Sequence, residues 1–286
     1  MFFSSPKTIE DSINWWAAAN SRKGKILLKT RRIGILGYGV LGKQMHRLFP
    51  DALIFDKYSD RREDLSICDL AFISVPTDLS GPALDETEIE DAVRNCNARV
   101  LVIRSATNPG FTDRMSKKYN KRIVVQPEYF GESTNHPFAD GKQPPFMILG
   151  GEPEDRRSVI DVYSAVYNAS IKIRQVTALE AEVIKLSENR AIFYKLMQVQ
   201  ELYGACEAAG VDYYTIRDAV YGDDPRFDLW WTFVYPNRRA AQSKCLPKDI
   251  YAWASWAANS GADVSATRAL LMFNESLSAN SEEVIG

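Results

Sequence analysis

From Arg32 to about residue 153, short apolar runs alternate with amphipathic stretches, the pattern of a sheet wrapped by helices. Ile33-Gly34-Ile35-Leu36 is a continuous apolar run of strand length, Val40 to Leu48 has helical spacing, and Leu53-Ile54-Phe55 reads as a second strand. Leu70 to Val75, Val100 to Arg104, Ile123 to Gln126 and Phe146 to Leu149 repeat the strand pattern. Helices are predicted between them at Glu86 to Asn95 and Thr112 to Tyr119. Apolar, β-branched strands separated by helices predict an α/β fold, a doubly wound parallel sheet covered on both faces.

Beyond residue 153 the strands nearly cease. Glu154 to Tyr167 reads as a helix and Ile171-Lys172-Ile173 as a strand closing the sheet. Thr177 to Ala209 then predicts one long helix, free of proline and stopped by Gly210. At the usual rise it runs roughly 50 Å. Its apolar residues (Ala181, Ile184, Ile192, Phe193, Leu196, Met197, Leu202) lie on several faces, so it needs burial along most of its length. A second subunit is the simplest source, which predicts a homodimer through residues 177–209. Shorter helices follow at Tyr213 to Tyr221, Pro247 to Asn259 and Ser265 to Asn280. The expected organisation is an extension at 1–30, an α/β domain at 31–174 and an all-helical domain at 175–286. Within the extension, Thr8 to Ala19 predicts a short capped helix whose Trp15-Trp16 pair packs on the body.

Composition narrows the function classes. The chain of 286 residues is 45% hydrophobic and 25% charged, ordinary for a globular protein, and its net charge of −2 gives no purchase on nucleic acid or anionic membrane. The basic stretch from Arg22 to Arg32 reads as a solvated lead-in to the first strand. Cys68, Cys96, Cys206 and Cys245 show no paired metal-ligand spacing, so no metal is expected, and a reducing, cytoplasmic compartment fits best. The apolar start Met1-Phe2-Phe3 is too short for secretion, and no run approaches the about 18 to 20 apolar residues that span a bilayer.

Two stretches carry chemistry. Gly37-Tyr38-Gly39-Val40-Leu41-Gly42 follows the first strand and opens a helix. Its glycines suit a tight turn, a close approach of pyrophosphate to backbone, and packing of helix on strand. The helix start offers unpaired N–H groups to phosphate. Asp56 ends the second strand 19 residues beyond Gly37, where a carboxylate hydrogen-bonds an adenosine ribose. This favours NAD over NADP, with neighbouring Lys57 the one feature against. The second stretch is Lys244-Cys245-Leu246-Pro247-Lys248-Asp249, a thiol among cations with a carboxylate one helical turn on. A nearby cation lowers a thiol's pKa, and the thiolate is the nucleophile.

Further motifs are Ser74-Val75-Pro76-Thr77, Arg104-Ser105-Ala106-Thr107-Asn108-Pro109-Gly110, Gln126-Pro127-Glu128-Tyr129-Phe130-Gly131-Glu132, Glu180 to Asn189, and Asp224-Pro225-Arg226. With the glycine loop and the cysteine stretch, and in this order, they give a chain that resembles the UDP-glucose/GDP-mannose dehydrogenase family through most of residues 31 to 280. The resemblance implies a Rossmann-type domain followed by a helical dimerisation domain. It also implies NAD-dependent oxidation of a nucleotide-sugar C6 alcohol to a carboxylate.

Roles follow by resemblance, position by position. Cys245 is the nucleophile that captures an aldehyde as a thiohemiacetal, oxidised onward to a thioester. Lys185 and Asn189, four apart and so on one helix face, stabilise the developing alkoxide. Asp249 works with a water in proton transfer, and Glu128 aids thioester hydrolysis. Gly37, Gly39, Val40, Leu41, Gly42, Asp56, Pro76, Thr77, Ser105, Glu132 and Lys248 face the cofactor. Glu128, Lys185, Asn189 and Arg226 face the substrate, Arg226 that of the adjacent subunit. His46 and His136 match no role and are expected to be structural or at the surface.

Three departures stand out. The family's Ser-Thr pair is Ser105-Ala106 here, with Thr107 one position late as a substitute. The glycine-rich turn before the cysteine is Ala240-Ala241-Gln242-Ser243-Lys244. A third, nucleotide-clasping domain is not expected within these 286 residues. Two alternatives stay open: a two-electron NAD-dependent dehydrogenase of a smaller alcohol or hydroxy acid, and an NAD-binding protein without catalysis.

Overall fold

The computed structural model describes residues 31–129, 144–243 and 245–282, with side chains to residue 279. The expected helix at 8–19 with Trp15-Trp16, together with Phe130, Gly131, Glu132, His136 and Lys244, lies outside the described residues. In chain order the strands are β1 (Ile33–Leu36), β2 (Leu53–Phe55), β3 (Leu70–Ile73), β4 (Leu79–Ser80), β5 (Ala83–Leu84), β6 (Val100–Ile103), β7 (Ile123–Val125), β8 (Phe146–Gly150) and β9 (Lys172–Val176). The helices are α1 (Val40–Leu48), α2 (Thr87–Asn95), α3 (Phe111–Tyr119), α4 (Pro153–Tyr163), α5 (Ala178–Ala209), α6 (Tyr213–Arg217), α7 (Leu246–Asn259) and α8 (Ser265–Glu282).

Seven strands form one sheet in the order β2-β1-β3-β6-β7-β8-β9. The five strands from β2 to β7 pair in parallel. β8 meets β7 antiparallel at Val125 and Gly150, and β9 then runs parallel to β8. The fully parallel sheet expected from the sequence is therefore mainly parallel, with its last two strands reversed. Single-residue periodicity cannot read strand direction. The fold class is Rossmann-type α/β followed by a long helix.

Alternation along each strand sorts side chains to the two faces. Ile33, Ile35, Leu70, Phe72, Val100 and Val102 enter one core with Met45 and Phe49, beside α1, and Val159, Val162 and Tyr163 of α4. Leu36, Ala71, Ile73, Leu101 and Ile103 enter the other with Ile89 and Val93 of α2 and Phe111 and Met115 of α3. Each such side chain contributes about 1.5–3 kcal/mol by leaving water. Every residue of β1, β3 and β6 is buried, so a charge at any of these positions would unseat a helix.

The chain divides into two units: residues 1–77 with 86–182, and residues 78–85 with 183–286. The second unit contains most of α5, α6 to α8 and the β4–β5 hairpin, which lies against α7. Its interior is built from Phe193, Met197, Ile250, Leu271 and Leu277, and from Val199, Cys206, Tyr213, Tyr221 and Val234. The expected helix at 213–221 ends at Arg217 and widens into a π turn at Asp218–Asp223. The wider turn brings Tyr221 back toward the face of Tyr213, so both rings reach the same core. The helix expected to run to Tyr167 stops at Tyr163, and Tyr167 folds back to stack on it with ring centroids 5.1 Å apart.

Candidate active site

In the first unit, the strand ends carry the candidate cofactor residues. Gly37 N donates to Phe55 O at 2.9 Å, Ser74 N to Leu36 O at 2.8 Å, Arg104 N to Ile73 O at 2.9 Å and Gln126 N to Ile103 O at 2.8 Å. The chain therefore leaves β1, β2, β3, β6 and β7 along one carboxyl edge, where ligands bind in open α/β sheets.

The three glycines of the loop differ in what they require. Gly37 has φ +91°, and a Cβ there would lie 2.4 Å from Ser74 O. A Cβ on Gly42 would lie 2.0 Å from Gly37 O. Both positions are closed by the fold itself. A Cβ on Gly39 meets nothing within 4 Å, so this glycine leaves open space at the start of α1. That start has no side-chain cap and no acidic residue in its first turn, which leaves its amides for an anion. Val40 and Leu41 supply the first of them. The loop fits a pyrophosphate.

Asp56 accepts hydrogen bonds from Tyr38 N at 2.6 Å and Tyr58 N at 2.8 Å. Burial alone would raise its pKa, but these bonds outweigh it and hold the carboxyl below its ordinary value. Lys57 is taken up by Glu88, 3.0 Å from each oxygen, and by Asp91 at 3.8 Å. His46 has a structural role that the sequence left unspecified. Its Nε2 lies 3.1 Å from Pro50 O, a pure acceptor, so Nε2 donates and Nδ1 accepts from Tyr38 Oη at 2.6 Å.

Thr77 Oγ1 donates to Ala106 O at 2.8 Å, and Ser105 Oγ donates to Val75 O at 2.6 Å. Both side chains are buried and Pro76 is exposed. Thr107 is only 2% exposed and its hydroxyl points to Glu182 Oε1 at 3.3 Å. It is thereby engaged as a structural donor, not presented in place of the hydroxyl missing at Ala106. Glu128 is ion-paired through Oε2 with Arg104, which is 4% exposed, and accepts from Tyr129 N through Oε1 at 2.7 Å. Burial would depress the Arg104 guanidinium, and the Glu128 carboxylate more than reverses that effect. Arg104 also donates to Tyr163 Oη at 3.1 Å, and Tyr163 donates to Gln126 Oε1 at 2.8 Å.

In the second unit, residues distant in sequence meet. Cys245 is exposed and stands at the N-cap of α7, with Pro247 in the first turn. One turn on, Asp249 is 1% exposed and its N–H donates to Cys245 O at 3.2 Å. The Asp249 carboxylate accepts from Asn189 Nδ2 at 2.5 Å and from Lys248 Nζ at 2.9 Å. Lys185 is half-buried on α5, one turn before Asn189. Arg226 is different: its side chain is 80% exposed and it pairs with Asp224. The Ala240-Ala241 segment is read by the buried Asn274 of α8, which accepts from Ala241 N at 2.7 Å and donates to Ala241 O at 3.3 Å.

The structure thus brings Asn189, Lys248 and Asp249 into one hydrogen-bonded set beside the Cys245 turn, while Arg226 stands apart from that set. Arg104, Glu182 and Asn274 were not singled out as site residues from the sequence. Arg104 and Glu182 lie inside motifs noted there, but their buried partners are remote in the chain. Among the described residues no helix is long and apolar enough to cross a membrane.

The model for the UDP-glucose/GDP-mannose dehydrogenase family, central domain, matches residues 179–276. A UDP-glucose 6-dehydrogenase from Pongo abelii is 28% identical over 182 residues, covering 55% of this chain and 36% of its own length. A GDP-mannose 6-dehydrogenase from Pseudomonas putida is 27% identical over 210 residues, covering 69% of this chain and 47% of its own. The chain therefore spans between a third and a half of these relatives. Among solved structures, a UDP-glucose dehydrogenase from Pyrobaculum islandicum superposes with TM-score 0.70 at 19% identity, covering 86% of this chain and 68% of its own. A UDP-D-ManNAc dehydrogenase from Pyrococcus horikoshii gives 0.72 at 20% identity, with 89% and 70% covered. These two likenesses establish the fold.

Proposed function

We propose that the chain is a member of the UDP-glucose/GDP-mannose dehydrogenase family, whose central-domain model matches residues 179–276, and that it oxidises the C6 alcohol of a nucleotide sugar to the carboxylate with NAD. The observation that carries this reading is the buried Asn189–Asp249 pair with the half-buried Lys248, Asp249 being one helical turn from an exposed cysteine. A carboxylate desolvated to 1% exposure and still held by two donors is a preorganised polar group. It suits proton transfer through a water better than it suits stability alone.

Bound NAD supplies the hydride acceptor for each of two oxidations. In the first, a water held by Asp249 takes the hydroxyl proton, and Lys185 and Asn189 steady the alkoxide as the aldehyde forms. The Cys245 thiolate then adds to the aldehyde carbon, and the resulting oxyanion is steadied by the same ammonium and amide. Loss of a second hydride from that carbon leaves a thioester on Cys245. Water, deprotonated by Glu128, attacks the thioester and expels the thiolate. One alcohol, two NAD and one water give one carboxylate, two NADH and three protons. The loop at Gly37 to Gly42 holds the pyrophosphate, Asp56 the adenosine ribose, and Pro76, Thr77, Ser105 and Lys248 complete the cofactor contacts. Arg226, exposed on its own subunit, reaches the substrate of a second copy paired through α5.

A two-electron reading draws on one observation: Ala106 has no hydroxyl and Thr107 turns its own to Glu182. Incubation with NAD and a panel of UDP-, GDP- and ADP-sugars, with NADH counted per sugar consumed, separates the two. Two NADH per sugar support the proposal, and one NADH supports the alternative.

A further inference from the structure

Three residues at which the first unit ends along the chain are Thr77, Glu86 and Glu182. All three bond to the same loop, which leaves β6 at Ser105 and enters α3. Thr77 holds Ala106 O at 2.8 Å and Glu86 accepts from Asn108 Nδ2 at 2.8 Å. Glu182 does most. Its carboxylate accepts from Gly110 N at 2.5 Å, Thr112 N at 2.9 Å, Thr112 Oγ1 at 2.6 Å and Thr107 Oγ1 at 3.3 Å.

Local chemistry explains why a remote carboxylate is needed there. The N-cap of α3 is Gly110, at φ 88°, which has no side chain to cap the helix. Glu182 fills that place from α5, 70 residues away from Thr112, and compensates the helix dipole as well. The start of α3 is therefore occupied by protein and is no second anion slot. The carboxylate is 2% exposed; its burial is costly, and only the four donors make it tolerable. Burial pushes its pKa up, against the pull of those donors.

We propose that Glu182 is a positioning residue of the dehydrogenase reaction, fixing the Ser105 to Thr112 loop at the carboxyl edge of β6 so that Ser105 is set for the cofactor. This rests on the cofactor assignment proposed above, and not on the identity of the sugar.

The test is NADH affinity, read by fluorescence titration, in the full chain and in Glu182→Gln. The glutamine keeps the shape, removes the charge and turns an amide N–H toward donors already present. Because the apparent dissociation constant rises when only a fraction of the chain is folded, affinities are compared only among variants that thermal melts show to be fully folded at the assay temperature. The expected result is at least a tenfold weaker affinity. Thr107→Val and Thr112→Val, each removing one donor, are expected to weaken it about twofold to fivefold, and Thr112→Ser to restore it. They carry the test if Glu182→Gln does not fold. Affinities within twofold of wild type across the folded variants would overturn the proposal. Failure of every sugar in the panel alongside the expected affinity losses would sink the substrate reading and leave this one standing. A wild-type chain that binds no NADH would overturn both.

Discussion

Asn189 and Asp249 are 60 residues apart in the chain and share a buried hydrogen bond of 2.5 Å between Nδ2 and Oδ2. The bond links α5 to the first turn of α7, next to the cysteine. Asn189→Ala leaves the buried carboxylate one donor short, which costs about 1–3 kcal/mol. Asn189→Asp sets a second carboxylate against the first and costs more, because two buried like charges cannot both ionise cheaply. At pH 7 the melting temperatures should fall in the order wild type, Asn189→Ala, Asn189→Asp. A variant pair in the reverse order would remove Asp249 as an ionised acceptor.

The glycines at the cofactor loop predict opposite outcomes. Gly37→Ala forces a left-handed alanine onto Ser74 O and should destabilise the protein by at least about 1–2 kcal/mol. Gly39→Ala has open space and φ −72°, so stability should change by no more than about 0.5 kcal/mol. On the proposed cofactor assignment its methyl stands in the path of the pyrophosphate, and NADH affinity should fall at least tenfold. Thermal melts and NADH titration on the same two variants check this. Unchanged affinity in Gly39→Ala would place the dinucleotide elsewhere.

On the proposed NAD assignment, Asp56 bears on both cofactor choice and the pH dependence of stability. Its folded-state pKa lies below the unfolded value, so its contribution to stability is complete above about pH 4 and is lost as pH falls through the folded value. The stability gap between wild type and Asp56→Asn should be constant from pH 5 to 7 and close in stronger acid. In the same position, Asp56→Ser should raise the ratio of NADP to NAD use at least tenfold. Lys57 should not obstruct NAD use, since Glu88 and Asp91 already engage it. A gap that widens in acid, or a ratio that does not move, would contradict the role of this carboxylate.

The four thiols should differ sharply in reactivity. Burial pushes the Cys68 thiol up to about 11 and raises Cys96 as well, and Cys206 is buried, whereas Cys245 is exposed. At pH 8 a colorimetric disulfide reagent should label one thiol per folded chain quickly and the others only on unfolding. Cys245→Ser should remove the fast reaction. A fast phase that persists in that variant would show that the reactive thiol is another.

Much of the fold was readable because its signals are local. Apolar strands such as Ile33–Leu36 and Leu53–Phe55, and the helix Val40–Leu48, have the bounds that periodicity predicts. The reversal of β8 and β9, the β4–β5 hairpin and the π turn after Arg217 were not readable. The first depends on pairing across the sheet, the second is only two residues per strand, and the third on where Tyr221 finds its core. The candidate site divides the same way. The glycine loop and the Cys245–Asp249 turn announce themselves by spacing. Glu182 looks like any helix acid until Gly110 is seen to lack a cap, and Arg104 like any strand-end cation until Glu128 and Tyr163 close around it. By sequence Thr107 stands as a replacement hydroxyl, yet its direction toward Glu182 is a property of the fold alone.

The central claim is that a substrate carbon becomes bonded to Cys245 on its way to a carboxylate. Its most direct test is intact-protein and peptide mass spectrometry of the chain quenched in acid during turnover with NAD and the accepted nucleotide sugar, using Glu128→Gln to slow hydrolysis. The account predicts an adduct with the mass of the acyl sugar nucleotide, confined to the peptide containing Cys245 and absent in Cys245→Ser. Turnover to the carboxylate with no adduct, and at an undiminished rate in Cys245→Ser, would contradict it.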